Sequence, residues 1–539
     1  MLLGSETGAP SRAGLTPGGT GSVSRGLEVE PATVNPPSSA LRFSPADEAR
    51  DVNARLERFY ASPEQVRTLS LQDALRQAHR TAREYLSAEE DYVLAAIRLL
   101  VNRHDFAPQF FANTTAEVTA TGTDGSYQTP LRILNELGVS QRLPDGGQVA
   151  ARLVWEAVEE LRESATDRYA QASSLALSAS IPLLRGAGPP AREDLIQAER
   201  DRVYAARSFE GFRRTLLVSI AGDYFDLAQQ LAAISNQRRR LEGLLKLEER
   251  IGALVEAGRL AEFQRNIASN QVLQARSSLA NQSEAFQLAL ERFKIRLGMS
   301  IDQPVQIEPA AIDLPEPETT PEEAAEAALA YRLDLQTTRD RADDARRGVE
   351  VARNDTLPDL NVGAGVTARS QPGAREGGMV WELDDLIYSG SVTFGLPLDR
   401  ERERLALRRS IIELERAVRA VEETRDRVVV EARSRVREID RARFNLKLAE
   451  QAVFINQRRL EEQDLKRDEV TAQEIVDAQN DLLSAENARD QAITDLRNAV
   501  LAYLLATAQL RVDREGQLIR LPGMGGAAAP SETGADAQP

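Results

Sequence analysis

The side chains best equipped for chemistry are few, and their spacing does not suit it. His79 and His104 are the two histidines of the chain and stand 25 residues apart, with no further ligand near either. That fits neither a zinc site nor a metal-binding helical pair, and each reads as a surface or internally satisfied histidine. Cysteine is absent, which excludes disulfides, thiolate nucleophiles and thiolate metal sites. Glu382, Asp384 and Asp385 offer oxygen ligands for calcium, but they lack the periodic spacing of a calcium loop and better fit an extracellular loop. Four methionines, one of them Met1, are too few for a relay of thioether ligands to copper or silver. No phosphate loop or nucleophile motif occurs. One carboxylate pair remains: Glu474 and Asp477, whose i, i+3 spacing puts both on one face of a helix. Taken alone, such a pair serves solubility. The residues therefore predict a protein that is not an enzyme and needs no cofactor.

Composition points instead to long helices. Of 539 residues only 5% are aromatic and 28% are charged, with abundant Ala, Glu, Arg, Leu and Gln. The net charge of −16 argues against nucleic acid, since no basic stripe with interleaved aromatics is present. The basic clusters Arg238–Arg240 and Arg404–Arg409 sit among acidic residues and read as solvated helix faces. No apolar run reaches the roughly 20 residues of a spanning helix. That leaves a soluble protein or a β-barrel route into a membrane. Met1-Leu2-Leu3 runs directly into Gly, Ser, Thr and Pro without the basic and apolar regions of a signal peptide. If the protein is exported, its targeting segment has been removed or lies upstream, and the chain expressed from Met1 is expected to stay in the cytoplasm.

The elements that position these residues come in duplicate. S-L-Q-D-A-L near residue 70 and T-P-E-E-A-A near 320 are helix starts, and each opens an alanine-rich amphipathic stretch that stops at a proline, Pro108 or Pro358. Strand-like text follows each proline, then a second proline in S-I-P-L-L-R (Pro182) or G-L-P-L-D-R (Pro397), then two helical segments. The expected division is a disordered 1–44, a first repeat 45–300 with a short helix over 45–60, a proline-rich connector 301–321, a second repeat 322–513 and a disordered tail 514–539. Segment 122–170 of the first repeat is a long irregular insert holding G-V-S-Q-R-L-P-D-G-G-Q-V, a turn flanked by possible strands.

In the closing helix Ala478, Ala485, Ala492, Ala499 and Ala506 recur every seventh residue beside Ile475, Leu482, Arg489, Leu496, Tyr503 and Leu510, a seam of alternating small and large residues. The first repeat carries its counterpart in Ala268, Ala275 and Ala289 with Val272, Leu279, Phe286 and Phe293. Another seam runs from Leu407 through Ile411, Leu414, Val418, Val421, Arg425, Val428, Ala432 and Arg435 to Ile439, regular but for its two arginines. Helices of about 65 residues would reach roughly 100 Å. An elongated coiled-coil scaffold without a pore would explain them. Four strands, expected at 114–121, 174–181, 361–368 and 391–396, have no place in a rod, and four are too few for a membrane barrel unless subunits pool them.

The order and duplicate spacing of the two helix starts, Pro108, Pro358, I-P-L-L-R-G-A-G, L-P-L-D-R and Y-F-D-L at 224–227 resemble the TolC-like outer-membrane efflux proteins over about residues 65–512. The resemblance implies a mainly α fold with a small β part: a homotrimer whose four strands per subunit close a twelve-stranded β-barrel, continuous with a twelve-helix α-barrel. It implies a passive exit duct in the outer membrane with most of its mass in the periplasm, contacting outer-membrane lipid and opened by a periplasmic adaptor that serves an inner-membrane transporter. E-A-G-R-L-A-E-F matches the first helix tip, so Gly258, Arg259 and Leu260 stand where the family docks its adaptor. Asp468, Glu469 and Val470 stand at the second tip, which lacks the family's glycine. Glu474 and Asp477 match the acidic positions of the closed periplasmic aperture.

Overall fold

The computed structural model describes residues 67–123, 126–128, 130–160, 169–308, 317–370, 381, 386–465, 471–512 and 518–519. The expected disordered N-terminal segment, the helix over 45–60, the cluster Glu382, Asp384 and Asp385, and the tip residues Asp468, Glu469 and Val470 lie outside these residues, as do part of the connector and all of the expected disordered tail except 518–519, which pairs as a strand with 511–512.

Each helix start is an N-cap. Ser70 accepts the backbone N–H of Asp73 at the head of α1 (Leu71–Thr81). Thr320 forms a full capping box with Glu323, with Pro321 as the first helical residue of its helix, Pro321–Tyr331. The sequence suggests one amphipathic stretch after each cap, but the structure breaks both at a single extended residue. Ala82 (φ −63°, ψ 124°) separates α1 from α2 (Arg83–His104), and Arg332 (φ −69°, ψ 124°) separates the helix at 321–331 from the one at 333–354. Neither break carries Gly or Pro; tertiary contacts make them. Thr81 donates its hydroxyl to the carbonyl of Leu297 at 2.6 Å, and Arg332 pairs with Asp334 at 2.7 Å and with Glu431.

In chain order there follow α3 (Glu193–Glu256), α4 (Glu262–Arg296), α5 (Pro321–Tyr331), α6 (Leu333–Asn354), α7 (Glu401–Leu465) and α8 (Ala472–Ala506). The 64 residues of α3 and 65 of α7 each extend about 96 Å at 1.5 Å per residue. α3 packs on α4, α7 on α8, and α3 on α8. The small-and-large seam is what they bury: Ala478, Ala485, Ala492 and Ala506, and Ala268 and Ala275, are all buried, as are Val272, Phe286, Phe293, Leu496 and Tyr503. Small residues let the helix backbones approach, and the large ones between them fill the gaps. The α7 seam is buried only in its later part, at Val428, Ala432 and Ile439; Ile411 and Val418 are exposed in the single chain.

Mid-length along the helices, β1 (Arg67–Leu69) pairs in parallel with a strand at Val305–Ile307. The connector is thus partly a strand, held because Val305 and Ile307 are buried. Below it α4 ends in a Schellman turn, with Gly298 at φ +70° donating to Ile295 and Met299 donating to Lys294. A Cβ on Gly298 would lie 2.1 Å from the Thr81 carbonyl oxygen, so this position must be glycine for the end of α4 to meet the end of α1.

The main sheet differs from expectation. Its strands are β2 (Gln109–Val118), β3 (Pro130–Arg142), β4 (Gln148–Glu160), β5 (Tyr169–Pro182), the already introduced short strand at Val305–Ile307 (β6), β7 (Asp359–Arg369) and β8 (Ile387–Gly395), where β6 belongs to the small sheet and the other six form one antiparallel sheet ordered β8-β7-β5-β4-β3-β2. Of these six, β5 and β7 contain the expected strands at 174–181 and 361–368, and β2 and β8 overlap those expected at 114–121 and 391–396. The other two, β3 and β4, are a hairpin built from the insert that the sequence marks as irregular. A chain with six strands in its sheet does not make a twelve-stranded barrel by contributing four per subunit. The strand count per subunit is corrected accordingly. The physical reason is that the hairpin is laddered on both sides, β3 to β2 over Leu131–Ser140 and β4 to β5 over Gln148–Glu159, so its strands belong to the sheet.

Candidate site: the two-faced sheet and the helix tips

Strand registers sort the side chains of the sheet onto two faces. One row crosses all six strands as Phe110, Val139, Ala151, Leu177, Val366 and Tyr388. One residue away the adjacent row reads Gln109, Ser140, Ala150, Ser178, Gly365 and Ser389 and points to the other face. The apolar row is exposed: Phe110 retains 80% of its surface, Leu177 52% and Tyr388 74%. Leu137, Leu153 and Leu175 form a second apolar row on the same side. The paired charges of the hairpin lie on the opposite face, where Arg132 meets Glu156 at 2.6 Å and Arg152 approaches Glu136 at 3.6 Å, while Glu159 stands on the apolar side at the end of β4. A sheet that turns a continuous apolar face outward has hydrocarbon as its natural solvent, and strands of 9 to 14 residues are long enough to cross it. Among the described residues no helix is long and apolar enough to cross a membrane.

Helices α3 and α6 are joined by an ion network that the sequence reading did not single out. Asp344 on α6 accepts from Tyr204 on α3, from Arg200 at 3.0 Å and from Arg347 at 2.9 Å, while Arg347 also reaches Glu193 at 3.1 Å. Burial by itself would raise the Asp344 pKa, but the hydrogen bonds from Tyr204, Arg200 and Arg347 outweigh it and hold the carboxyl below the usual range. A depressed carboxylate pKa contributes stability above the unfolded-state value, and that stability is lost as pH falls through the folded-state value. Asp344→Asn is therefore expected to cost about 1–3 kcal/mol at neutral pH, toward the lower end because the arginines are partly solvated. Thermal unfolding of both proteins should show the gap closing in acid.

At the far end of the helices, Gly258 (φ +70°) closes α3 in a second Schellman turn: it donates to Val255 at 2.9 Å, and Arg259 donates to Leu254 at 2.9 Å. Leu260 packs on the buried cluster of Leu244, Ile251, Val272 and Ile475. Arg265 pairs with Glu256 at 2.9 Å across the turn. The structure thus places Gly258, Arg259 and Leu260 in one tight turn between the two helices.

Glu474 has a local role that T-A-Q-E at 471–474 could have disclosed, being a capping-box signature. It is the N3 residue of α8: its carboxylate accepts from the Thr471 N–H at 2.8 Å and from the Thr471 hydroxyl at 2.9 Å, and these bonds, the backbone one first, lower its pKa. Asp477 lies on the same exposed face and accepts from Gln473 at 2.9 Å. Nearby, Arg459 on α7 meets Asp481 on α8 at 2.6 Å and ties the two helices together.

Comparison with known proteins agrees with this geometry. Residues 324–507 match the model of the outer membrane efflux protein family. Among curated proteins none matches the sequence. Among solved structures, the outer-membrane channel OprN aligns over 81% of this chain and 89% of its own at TM-score 0.62 and 16% identity. The Campylobacter jejuni outer membrane channel CmeC aligns over 81% and 85% at TM-score 0.60 and 14% identity. The Vibrio cholerae outer membrane protein VceC aligns over 81% and 95% at TM-score 0.60 and 16% identity. At these identities the likeness is one of fold, and the family model adds the kinship of the second half. Across residues 324–507 the chain matches the outer membrane efflux protein family, and its fold is that of the TolC-like outer-membrane channels.

Proposed function

We propose that the chain is one third of a homotrimeric, passive exit duct, with its sheets closed into a barrel in the outer membrane and its helices forming a tunnel through the periplasm, where most of the mass lies. The observation that carries this reading is the apolar row across all six strands, on a sheet whose end strands β2 and β8 each pair on one side only among the described residues. In hydrocarbon an open edge leaves N–H and C=O groups unsatisfied, so further copies must close it. The helices also favour neighbours: Val430, Phe444, Phe454 and Ile455 on α7 are exposed large apolar residues on a charged helix. A scaffold rod without a pore has no use for the apolar sheet.

In this reading an inner-membrane transporter supplies the energy and a periplasmic adaptor docks on the tips, with Gly258, Arg259 and Leu260 on one and Asp468, Glu469 and Val470 on the other. Glu474 and Asp477 line the closed aperture. Three copies bring their carboxylates around one constriction, where low-dielectric walls focus the field. Cations should then pass in preference to anions and multivalent cations should block, an effect that weakens as salt shortens the screening length to about 10 Å at 0.1 M. The double variant Glu474→Gln, Asp477→Asn keeps shape, and Gln at N3 still closes the capping box. In planar-bilayer recordings it should lose much of its cation preference and multivalent block while still assembling. Unchanged selectivity and block would remove these residues from the aperture.

A further inference from the structure

We infer that the hairpin β3–β4 is a barrel-widening insertion, which makes the outer-membrane wall of this duct eighteen-stranded and moves size selection away from the barrel to the helical tunnel. The inference rests on the trimeric reading above and goes beyond it.

Three observations carry it. First, the hairpin lies inside the sheet, with β3 paired to β2 and β4 paired to β5, so it cannot be removed from the wall without breaking ladders on both sides. Second, it continues both faces of the sheet. Val139, Leu137, Ala151 and Leu153 extend the apolar side, while the Arg132–Glu156 pair stays on the polar side. Third, it is full height. Its turn reaches the base of the sheet, where the chain passes into the helices: Gly188 donates to the carbonyl of Asp145 at 3.1 Å, and Gln141 donates through Nε2 to the carbonyl of Phe106 at 3.1 Å. Arg142 stacks over Phe106 at 5.5 Å. A surface loop laid against a barrel would show none of these.

Six strands per chain in three copies give eighteen, whereas four would give twelve. With strands about 4.8 Å apart and tilted about 40°, the backbone cylinder is about 36 Å across for eighteen strands and about 24 Å for twelve. Barrels of that larger size enclose an open aqueous channel. The insertion adds no helix, so the tunnel below keeps its number of staves and must splay outward to meet the wider rim. The barrel then offers no sieve to a solute that has passed the tips.

The test uses the full chain in detergent and a variant in which a short turn replaces residues 119–168, joining β2 to β5 directly. Mass measurement gives the number of copies, and cryo-electron imaging gives the wall diameter. A trimer whose barrel is about one and a half times as wide as the variant's supports the inference. A trimer of the same width as the variant overturns it while leaving the trimeric duct standing. A monodisperse monomer removes both. If the variant does not assemble, the absolute diameter of the full-chain barrel decides, together with Trp155. That residue lies on β4 on the apolar side, and the chain has only two tryptophans. In a Trp381→Phe background reconstituted in vesicles with brominated acyl chains, Trp155 emission should be largely lost. Emission equal to that in unbrominated vesicles would mean that β4 does not face lipid, and would overturn the inference.

Discussion

Leu177→Arg is expected to prevent stable assembly of the sheet in the outer membrane, while Ser178→Arg, one residue along the same strand, is tolerated. Leu177 lies in the middle of the apolar row, between Ala151 and Val366, with half its surface exposed. Ser178 lies between Ala150 and Gly365 on the polar face. An arginine in hydrocarbon near the midplane of a barrel costs about 2–4 kcal/mol, falling toward zero near the interfaces, while a lumen substitution meets water. Every copy in the assembly carries the penalty, and it is a large part of the about 5–15 kcal/mol that stabilises an ordinary fold. The check is the yield of assembled protein in outer-membrane fractions and its resistance to denaturation before heating. Equal loss in both variants would contradict the assignment of faces, and loss confined to Ser178→Arg would invert it.

In the helical part the largest single effect is expected at Tyr224. Tyr224→Ala should cost about 3–5 kcal/mol, the range for truncating a fully buried aromatic ring, since Tyr224 has no exposed surface and contacts Phe225 and Phe293 edge-on or tilted. Its hydroxyl does more than fill space. The proton is shared between the carbonyls of Leu69 at 3.0 Å and Glu308 at 2.7 Å, which lie at the ends of the two strands of the small parallel sheet. Tyr224 therefore pins the connector between the two halves of the chain to α3. Burial pushes its pKa up to about 12, so the hydroxyl keeps its proton and remains a donor throughout the neutral range. Tyr224→Phe removes only the hydroxyl's bonds, leaving the Glu308 carbonyl short of a donor while that of Leu69 still accepts from the Glu308 N–H, at about 1–3 kcal/mol. Urea unfolding of the purified protein should rank wild type, Phe and Ala in that order. A Phe variant as damaged as Ala would mean that the hydroxyl carries the whole effect and the ring's packing none.

Much of this architecture is legible in local text. Caps at Ser70 and Thr320, stops ahead of Pro108 and Pro358, and the heptad-spaced alanines are signals that each involve a few neighbouring residues. Helices respond to such signals because their hydrogen bonds close within four residues. The same locality governs the turn at Gly258, a glycine at φ +70° within E-A-G-R-L, which the sequence reaches through the family resemblance. It also shows why the capping box at Thr471 and Glu474 need not have been missed, since its signature was present and only the choice of tip register passed over it.

The sheet is another matter. A-A-R-L-V-W-E-A-V-E-E on β4 has the composition of a helix, and R-I-L-N-E-L-G-V on β3 alternates too imperfectly to declare a face. Each becomes a strand because of partners that are distant in the chain, β4 with β5 and β3 with β2. The breaks at Ala82 and Arg332 are decided in the same way, by a carbonyl at Leu297 and a carboxylate at Glu431 that no local window contains. Sequence alone thus determined the long helices, the caps at Ser70 and Thr320 and the seams that join the helices, and through the motifs' duplicate order the resemblance to TolC-like proteins. Only the tertiary structure decided that the insert joins the wall and that apolar rows align across six strands, because strand pairing is satisfied by hydrogen bonds between segments whose separation along the chain leaves no periodic trace in either of them.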